Sequence, residues 1–264
     1  MTDNVNFDYQ KQVWGGEQAR LSHGSLGFLR LKYCLEALHT VKGRVLDVGC
    51  GAGGFAKAIK HYRRDLQVYG VDIGARAIRH ANRDSNQTRF LLGDLYELPH
   101  RQEVFDAVVI EDVLEHLREP QKALSAIFGV LKSGGVFHAF IPLEGALYSL
   151  HHWMRKLGWR AKERLAGHIQ QFNLSDVNSI YREAGFEIIN RRYSGHFLGQ
   201  LVDVGYFCLL EWTGTAPPEG GLEEKIKSKP LERSLKDLAV SATNVESRVL
   251  HWVPGFGLHL TAIK

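Results

Sequence analysis

Ten consecutive residues, Val45-Leu46-Asp47-Val48-Gly49-Cys50-Gly51-Ala52-Gly53-Gly54, place one carboxylate inside an apolar run and four glycines just after it. This reads as a strand that enters a glycine-rich turn and leaves it as a helix. Glycines there let a ligand approach the backbone closely and supply conformations other residues resist. Gly49, Gly51 and Gly54 also fit the G-x-G-x-x-G spacing of dinucleotide sites, so the loop alone does not decide the ligand. Three acids narrow the choice. Asp47 would sit badly beside a pyrophosphate and well beside an ammonium group. Asp72 closes the next apolar run, where a carboxylate can accept from both hydroxyls of a ribose. Asp94 follows Gly93 and suits an exocyclic amine donor. Three carboxylates around one crevice favour a cationic ligand without phosphate.

A second cluster follows the apolar run 105–110: Glu111-Asp112-Val113-Leu114-Glu115-His116. On a helical turn Asp112, Glu115 and His116 share a face, and such a set could bind a divalent metal that acidifies a hydroxyl. The plainer reading has Glu111 and Asp112 lining the ligand pocket while Glu115 and His116 cap and solvate the helix. Three nearby ligand types are not a coordination sphere, so a metal is weighed and not predicted. Neither a serine-nucleophile motif nor a Cys/His pair nor zinc spacing competes for the chemistry.

These side chains need a scaffold, and the chain supplies one. From residue 43 onward short β-branched runs alternate with helical patterns, as in a parallel sheet. Strands are expected at 44–48, 68–71, 90–92, 105–110, 136–141 and 186–191, with a last strand at 258–263. Helices are expected at 55–62, 75–83, 120–131 and 174–184, the last with Ser175 near its start and Gly185 at its end. Residues 195–255 break the alternation and read as an insertion of two helix-like segments, 197–212 and 231–252, joined by a Gly/Pro-rich and charged linker. The expected organisation is a helical cap over 1–42, a doubly wound α/β core over 43–193 and 256–264, and a helical insertion over 194–255. The 264 residues, 44% apolar and 23% charged, are those of an ordinary globular protein. The longest apolar stretch is interrupted by Gln200 and Asp203 and is too short to span a bilayer. Residues 1–8 hold two acids and no apolar run, unlike a secretory leader. Three cysteines without metal spacing suggest free thiols in a cytoplasmic setting, and a net charge of +4 permits an acidic partner without demanding one.

Motif by motif, residues 44–141 resemble the core of the class I (Rossmann-like) S-adenosylmethionine-dependent methyltransferases, in the type 11 and ubiquinone-pathway O-methyltransferase group. Leu46 to Gly53 is similar to the first motif of that family. Val71-Asp72-Ile73 resembles its acidic ribose-binding motif and Leu92-Gly93-Asp94-Leu95 its adenine-binding motif. Phe105 to Val109 resembles its fourth strand, and Leu131-Lys132-Ser133-Gly134-Gly135 the turn before the fifth. The resemblance implies a mostly parallel seven-stranded sheet whose last strand is antiparallel. It implies S-adenosylmethionine as methyl donor, held by Asp47, Gly49, Gly51, Gly53, Asp72, Ile73, Asp94, Leu95 and Glu111. An acidic–acidic–His arrangement like Asp112, Glu115 and His116 occurs in ubiquinone-pathway O-methyltransferases and small-RNA 2′-O-methyltransferases. In the quinone-type relatives a segment like Gly167-His168 borders the acceptor, where an imidazole can take a hydroxyl proton. His168, Glu115 and His116 are the catalytic candidates on this basis; in a chain with 13 histidines a structural role for His168 is the alternative.

Residues 145–165 combine leucines and Trp153 at helical spacing with Arg155, Lys156, Arg160, Lys162 and Arg164, and are expected to form an amphipathic lid helix that either packs on the domain or lies on anionic lipid. Acceptor specificity is expected in this helix, the insertion and the segment from Phe7 to Leu38, which includes Trp14 and His23. The leading expectation is methyl transfer to a small or lipid-like acceptor at oxygen, in the cytoplasm or peripherally at a membrane. Against it stand a nicotinamide-dependent oxidoreductase, disfavoured by Asp47 and Asp94, a non-catalytic methyltransferase-like scaffold, and an RNA methyltransferase, for which no RNA-binding motif is present. The oligomeric state and the acceptor are left open.

Overall fold

The run Ala107 to Ile110 is excluded from water on both faces, as befits the middle strand of a sheet covered on both sides. In the computed structural model, which describes residues 13–16, 18–85, 87–98, 102–215 and 230–264, it lies at the centre of seven strands. These are β1 (Arg44–Val48), β2 (Gln67–Asp72), β3 (Arg89–Leu92), β4 (Phe105–Glu111), β5 (Leu131–Pro142), β6 (Glu187–Ser194) and β7 (Gly257–Ile263). Their order is β3-β2-β1-β4-β5-β7-β6. The first five run parallel; β7 is antiparallel to both β5 and β6. The doubly wound sheet with a reversed last strand is therefore as expected.

Strand alternation sends Leu46, Val48, Val108, Ile110, Phe137 and Ile141 to one face. There they meet α4 (Pro120–Val130) and α7 (Leu174–Glu183). Val45, Ala107 and Val109 point the other way, against α1 (Phe28–Ala37), α2 (Gly54–Tyr62) and α3 (Ala75–Ala81). Helix α7 begins at Leu174 as expected, with Asn173 as its cap: Asn173 and Asp176 form a reciprocal pair, each side chain accepting the other's backbone N–H at 3.0–3.1 Å.

Two expectations change. Strand β5 begins at Leu131 rather than at residue 136, because Leu131 already pairs with Phe105 and a register shift carries the ladder across Ser133 to Gly135. The basic stretch is not one helix. It forms α5 (Leu150–Lys156) and α6 (Ala161–Leu165), separated at Gly158, whose φ of 91° lies in the left-handed region. The insertion forms α8 (Phe197–Thr213) and α9 (Pro230–Val249), as its apolar periodicity predicts; most of the linker between them, and Phe7, lie outside the described residues.

Strand order reverses between β1 and β4, so a crevice opens at their carboxyl ends. Beneath it, Phe137 stacks on Tyr181 and tilts against Phe186. We expect Phe137→Ala to lower unfolding free energy by about 3–5 kcal/mol in urea titration, the range for emptying a buried aromatic site.

Candidate functional site

The turn after β1 is held in place from three sides. Val71 O in β2 accepts the N–H groups of Gly49 and Cys50, and the carbonyls of Trp14 and Gly15 accept from Ala52 and Gly54 at 2.8 Å. Asp72 supplies the third tie: its Oδ2 accepts from Gly51 N at 2.8 Å and its Oδ1 from Gly74 N at 2.7 Å. Gly51 has φ of 53°, and a Cβ there would lie 2.5 Å from Trp14 O, so no other residue fits without moving the backbone. The sequence suggested a ribose role for Asp72; in the fold the same carboxylate also clasps the glycine turn. Gly49, Gly51, Asp47, Asp72, Ile73, Asp94, Leu95 and Glu111 line a single cavity of about 830 Å³, with Trp14 closing one side. Gly53 stands just behind, as the left-handed residue that opens α2. His23 points elsewhere, with its ring against Phe28 and its Nε2 2.7 Å from Arg248.

The electrostatics of this end ask for a positive ligand. Asp47 is buried, and its Oδ2 has no hydrogen-bond partner. Burial, then the nearby Asp72, push its carboxyl up to about 8 against the pull of the Ala56 N–H. Glu111 is likewise buried with both oxygens unpartnered; burial raises it well above the usual range, Arg30 opposes, and Asp112, Asp47 and Glu115 add to the rise. Buried acceptors without donors are costly unless a ligand satisfies them, and an ammonium would do so. Asp94 caps the short turn Leu95–Glu97 by accepting from Tyr96 N at 2.9 Å.

At the opposite end stands a chain of alternating charge. His168 Nδ1 lies 2.8 Å from Glu144 Oε1, beyond the end of β5. Lys162 of α6 places its Nζ 3.1 Å from the same Glu144 oxygen and 2.8 Å from Asp203 Oδ2 of α8. His151 Nε2 of α5 closes the chain, 2.6 Å from Asp203. His168, Lys162 and Asp203 line the cavity. Burial would raise Glu144, but Lys162 and then His168 hold it well below the carboxylate range. In the same way Lys162 overcomes burial to hold Asp203 at about 2. Burial would lower Lys162 and His168, yet Asp203 and Glu144 raise the lysine and Glu144 raises the imidazole.

His168 reaches this place because the N–H groups of Ile169 and Gln170 both donate to Glu115 O at 2.9 Å. Glu115 Oε1 is 4.0 Å from the Nε2 atoms of both His116 and His168, whose rings meet edge to face at 4.8 Å. His116 Nδ1 lies 3.1 Å from Gly167 O, which makes it a donor. Burial and then Asp112 push Glu115 up to about 8, while burial and His168 lower His116 to about 4.

The expected set of Asp112, Glu115 and His116 on one helical face needs correction. Only Leu114–His116 are helical, as a tight 3₁₀ turn, and Asp112 has a φ of 53°. Its carboxylate pairs with Arg30 of α1, which stacks 4.1 Å over Phe140. Among the described residues, the ligand atoms that converge belong to Glu115, His116 and His168, within 4.8 Å of one another. Sequence reasoning missed Glu144 as a site residue and treated Lys162 as part of a solvated basic face. The available signal was Asp203, an acid in the middle of a largely apolar helix, which in a buried setting requires a cation.

Residues 46–139 match the family described as methyltransferase domain. The matched segment runs from β1 into β5. A sterol 24-C-methyltransferase of Aspergillus fumigatus is 30% identical over 156 residues, 56% of this chain and 40% of that protein. A ubiquinone biosynthesis O-methyltransferase of Alkalilimnicola ehrlichii is 34% identical over 113 residues, 40% of this chain and 45% of that protein. The chain thus spans less than half the length of these two curated relatives. Among solved structures, phosphoethanolamine N-methyltransferase 2 of Haemonchus contortus, in complex with phosphomonomethylethanolamine and S-adenosylhomocysteine, shares the fold. Its TM-score is 0.56 at 20% identity, covering 93% of this chain and 54% of that one. The cyclase SpnF gives a TM-score of 0.58 at 20% identity, covering 89% of this chain and 80% of that one.

The match of residues 46–139 to that family makes S-adenosylmethionine the ligand to test against the acidic end of the cavity. With Asp47 titrating at about 8, the free protein holds it protonated at neutral pH, and a cationic ligand favours its ionised form. Affinity for the donor is therefore expected to rise as pH rises toward 8. Calorimetry in buffers of different ionisation heat should show proton release on binding, and Asp47→Asn should reduce that release.

Proposed function

We propose that the protein transfers the methyl group of S-adenosylmethionine to a hydroxyl of a lipophilic small molecule, with His168 as general base. One observation carries the reading: a single cavity joins Asp47, Asp72 and Asp94 at one end to His168 at the other. Between them its walls are largely apolar and aromatic, including Leu29, Phe140, Val202, Tyr206, Phe207 and Phe256. Such a lining suits an apolar acceptor, and the volume of about 830 Å³ lies within the range of small-molecule sites. The curated relatives named for sterol and ubiquinone chemistry are compatible with this class of acceptor.

When bound, the donor supplies a methyl group activated by its sulfonium sulfur. The residues of this chain do the rest. Asp47 and Glu111 would hold the ammonium, Asp72 the ribose, and Asp94 the adenine amine, with Ile73 and Leu95 against its ring. Glu144 accepts the Nδ1–H of His168 and so turns the Nε2 lone pair to the cavity. As the acceptor oxygen takes the methyl carbon and the carbon–sulfur bond breaks, the hydroxyl proton passes to Nε2. Glu144 raises the imidazole of His168, and the positive charge of Lys162 opposes that rise. Alignment in the closed cavity supplies much of the remaining rate.

The convergence of Glu115, His116 and His168 favours a second reading, in which a divalent cation there polarises the acceptor hydroxyl. Both oxygens of Glu115 are buried without a hydrogen-bond partner, as a ligand set awaiting a cation would be. The two readings separate in one assay with phenols, quinone precursors and hydroxylated lipids. For the base, His168→Ala is expected to lower kcat by roughly 10²–10⁴ with donor affinity unchanged, and chelators should have no effect. Loss of activity on chelation, restored by Mg²⁺ or Mn²⁺, would replace the first reading with the second. Donor binding without methylation of any hydroxyl acceptor would sink both. In Glu144→Gln the proposal expects a fall in kcat with KM nearly unchanged, since that residue orients His168 and touches no substrate.

A further inference from the structure

Helix α8 carries its charges on one side only. Asp203 turns inward to Lys162 and His151, and Glu211 turns inward to Trp159 and Arg164. The residues left exposed, from Phe197 and Leu198 through Leu201, Val202 and Leu209 to Trp212, are apolar, apart from Gly205 and the terminal Thr213. Over 17 residues this makes a face about 25 Å long without a charge. Scattered apolar side chains at a surface need no explanation, but a continuous stripe marks an interaction site.

Three features say what covers it. Aromatic residues stand at its ends and beside it: Phe197 at the start, Trp212, 85% exposed, at the finish, and Trp153 on α5. Helix α5 is tied to α8 through Leu150 N to Gln200 and His151 to Asp203. Tryptophan and phenylalanine in such positions suit a membrane–water boundary. Charge is the second feature. Apart from the buried Lys162, the stretch from Leu150 to Leu165 carries Arg155, Lys156, Arg160 and Arg164 against one acid, Glu163, and Arg164 is anchored on Glu211, next to Trp212. The third is continuity with the cavity. Val202 is 44% exposed and also lines the cavity, as do Gly199 and Tyr206 of the same helix, so the stripe forms its rim.

We propose that the outer face of α8, flanked by Trp153 and the basic residues of α5 and α6, docks on an anionic lipid surface. The membrane contact foreseen for residues 145–165 thereby moves to α8, with the basic segment as its electrostatic flank. Attachment is peripheral, since no described helix is long and apolar enough to cross a membrane. The docked orientation places the cavity rim against the lipid, where an apolar acceptor partitions. In purpose this rests on the lipophilic acceptor proposed above; its test does not.

The test is co-sedimentation of the full chain with vesicles of phosphatidylcholine alone and of phosphatidylcholine mixed with phosphatidylglycerol. Wild type is expected to sediment with the mixed vesicles, less with the neutral ones, and less again as salt rises. Leu209→Glu combined with Trp212→Glu should weaken sedimentation roughly tenfold or more, because both side chains leave water on docking. Binding of S-adenosylhomocysteine, measured in parallel, should be unchanged in the double variant and reports separately on the fold and the donor site. Absence of wild-type sedimentation with either vesicle would overturn the proposal, as would sedimentation that the double variant retains. A dimer that the double variant dissociates, without vesicle binding, would assign the face to a second copy and overturn it equally.

Discussion

Lys162 is a primary ammonium buried to 7% exposure between two carboxylates, and four parts of the chain depend on it. Glu144 comes from the end of β5, Asp203 from the insertion helix α8, Lys162 from α6, and His168 from the loop that follows. A cation in such a place persists only with its partners. Removing one member of a buried pair of this kind costs about 3–5 kcal/mol, because the other is left charged and unpaired. The pairing therefore does more than join surfaces: it specifies one position of α6 and α8 over the crevice and one orientation of the imidazole below them. Were α8 to swing away, Lys162 would lose Asp203 and keep Glu144 as its remaining carboxylate partner in this chain of charges.

The two ends of the cavity follow opposite electrostatic rules. At the acceptor end each carboxylate meets a cation within the protein, and Glu144 and Asp203 are held ionised. At the other end Asp47 and Glu111 are buried without donors and titrate far above their ordinary range. An internal salt-bridge chain makes the first end rigid before any ligand arrives. The second is completed only by a positive group from outside, which couples donor binding to proton release. Glu115 lies between the two regimes, 4.0 Å from the Nε2 atoms of both histidines and raised by burial and Asp112 against the pull of His168.

Closure from above is provided by elements distant in sequence. Asn244 of α9 donates to the carbonyls of His23 and Ser25 at 2.7 and 3.3 Å, and the Glu246 carboxylate accepts from the first backbone N–H groups of α8. These contacts bind the cap, α9 and α8 into one roof, and the same roof carries the apolar stripe on its outer side. One structural unit thus both lines the cavity and presents an apolar face outward.

The strands and helices of the core, and the acids at their ends, were legible because they rest on local rules. A β-branched run, a glycine turn and a helix follow one another within about fifteen residues, and Asp47, Asp72 and Asp94 each stand at a strand end whose direction the pattern already sets. The break in the basic segment was written there as Gly158, yet the amphipathic spacing on either side outweighed it. What only the tertiary structure decided is the acceptor end. Asp112 has helical spacing to Glu115 and His116, but a buried floor aromatic, Phe140, brings Arg30 within reach and draws the carboxylate away. His168 then takes its place, 52 residues beyond His116, and pairs with Glu144, which no local pattern singles out. Charged residues such as Lys162 read as solvated surface in any one-dimensional pattern. Their burial depends on which distant carboxylates the fold brings against them, and that follows from packing rather than periodicity.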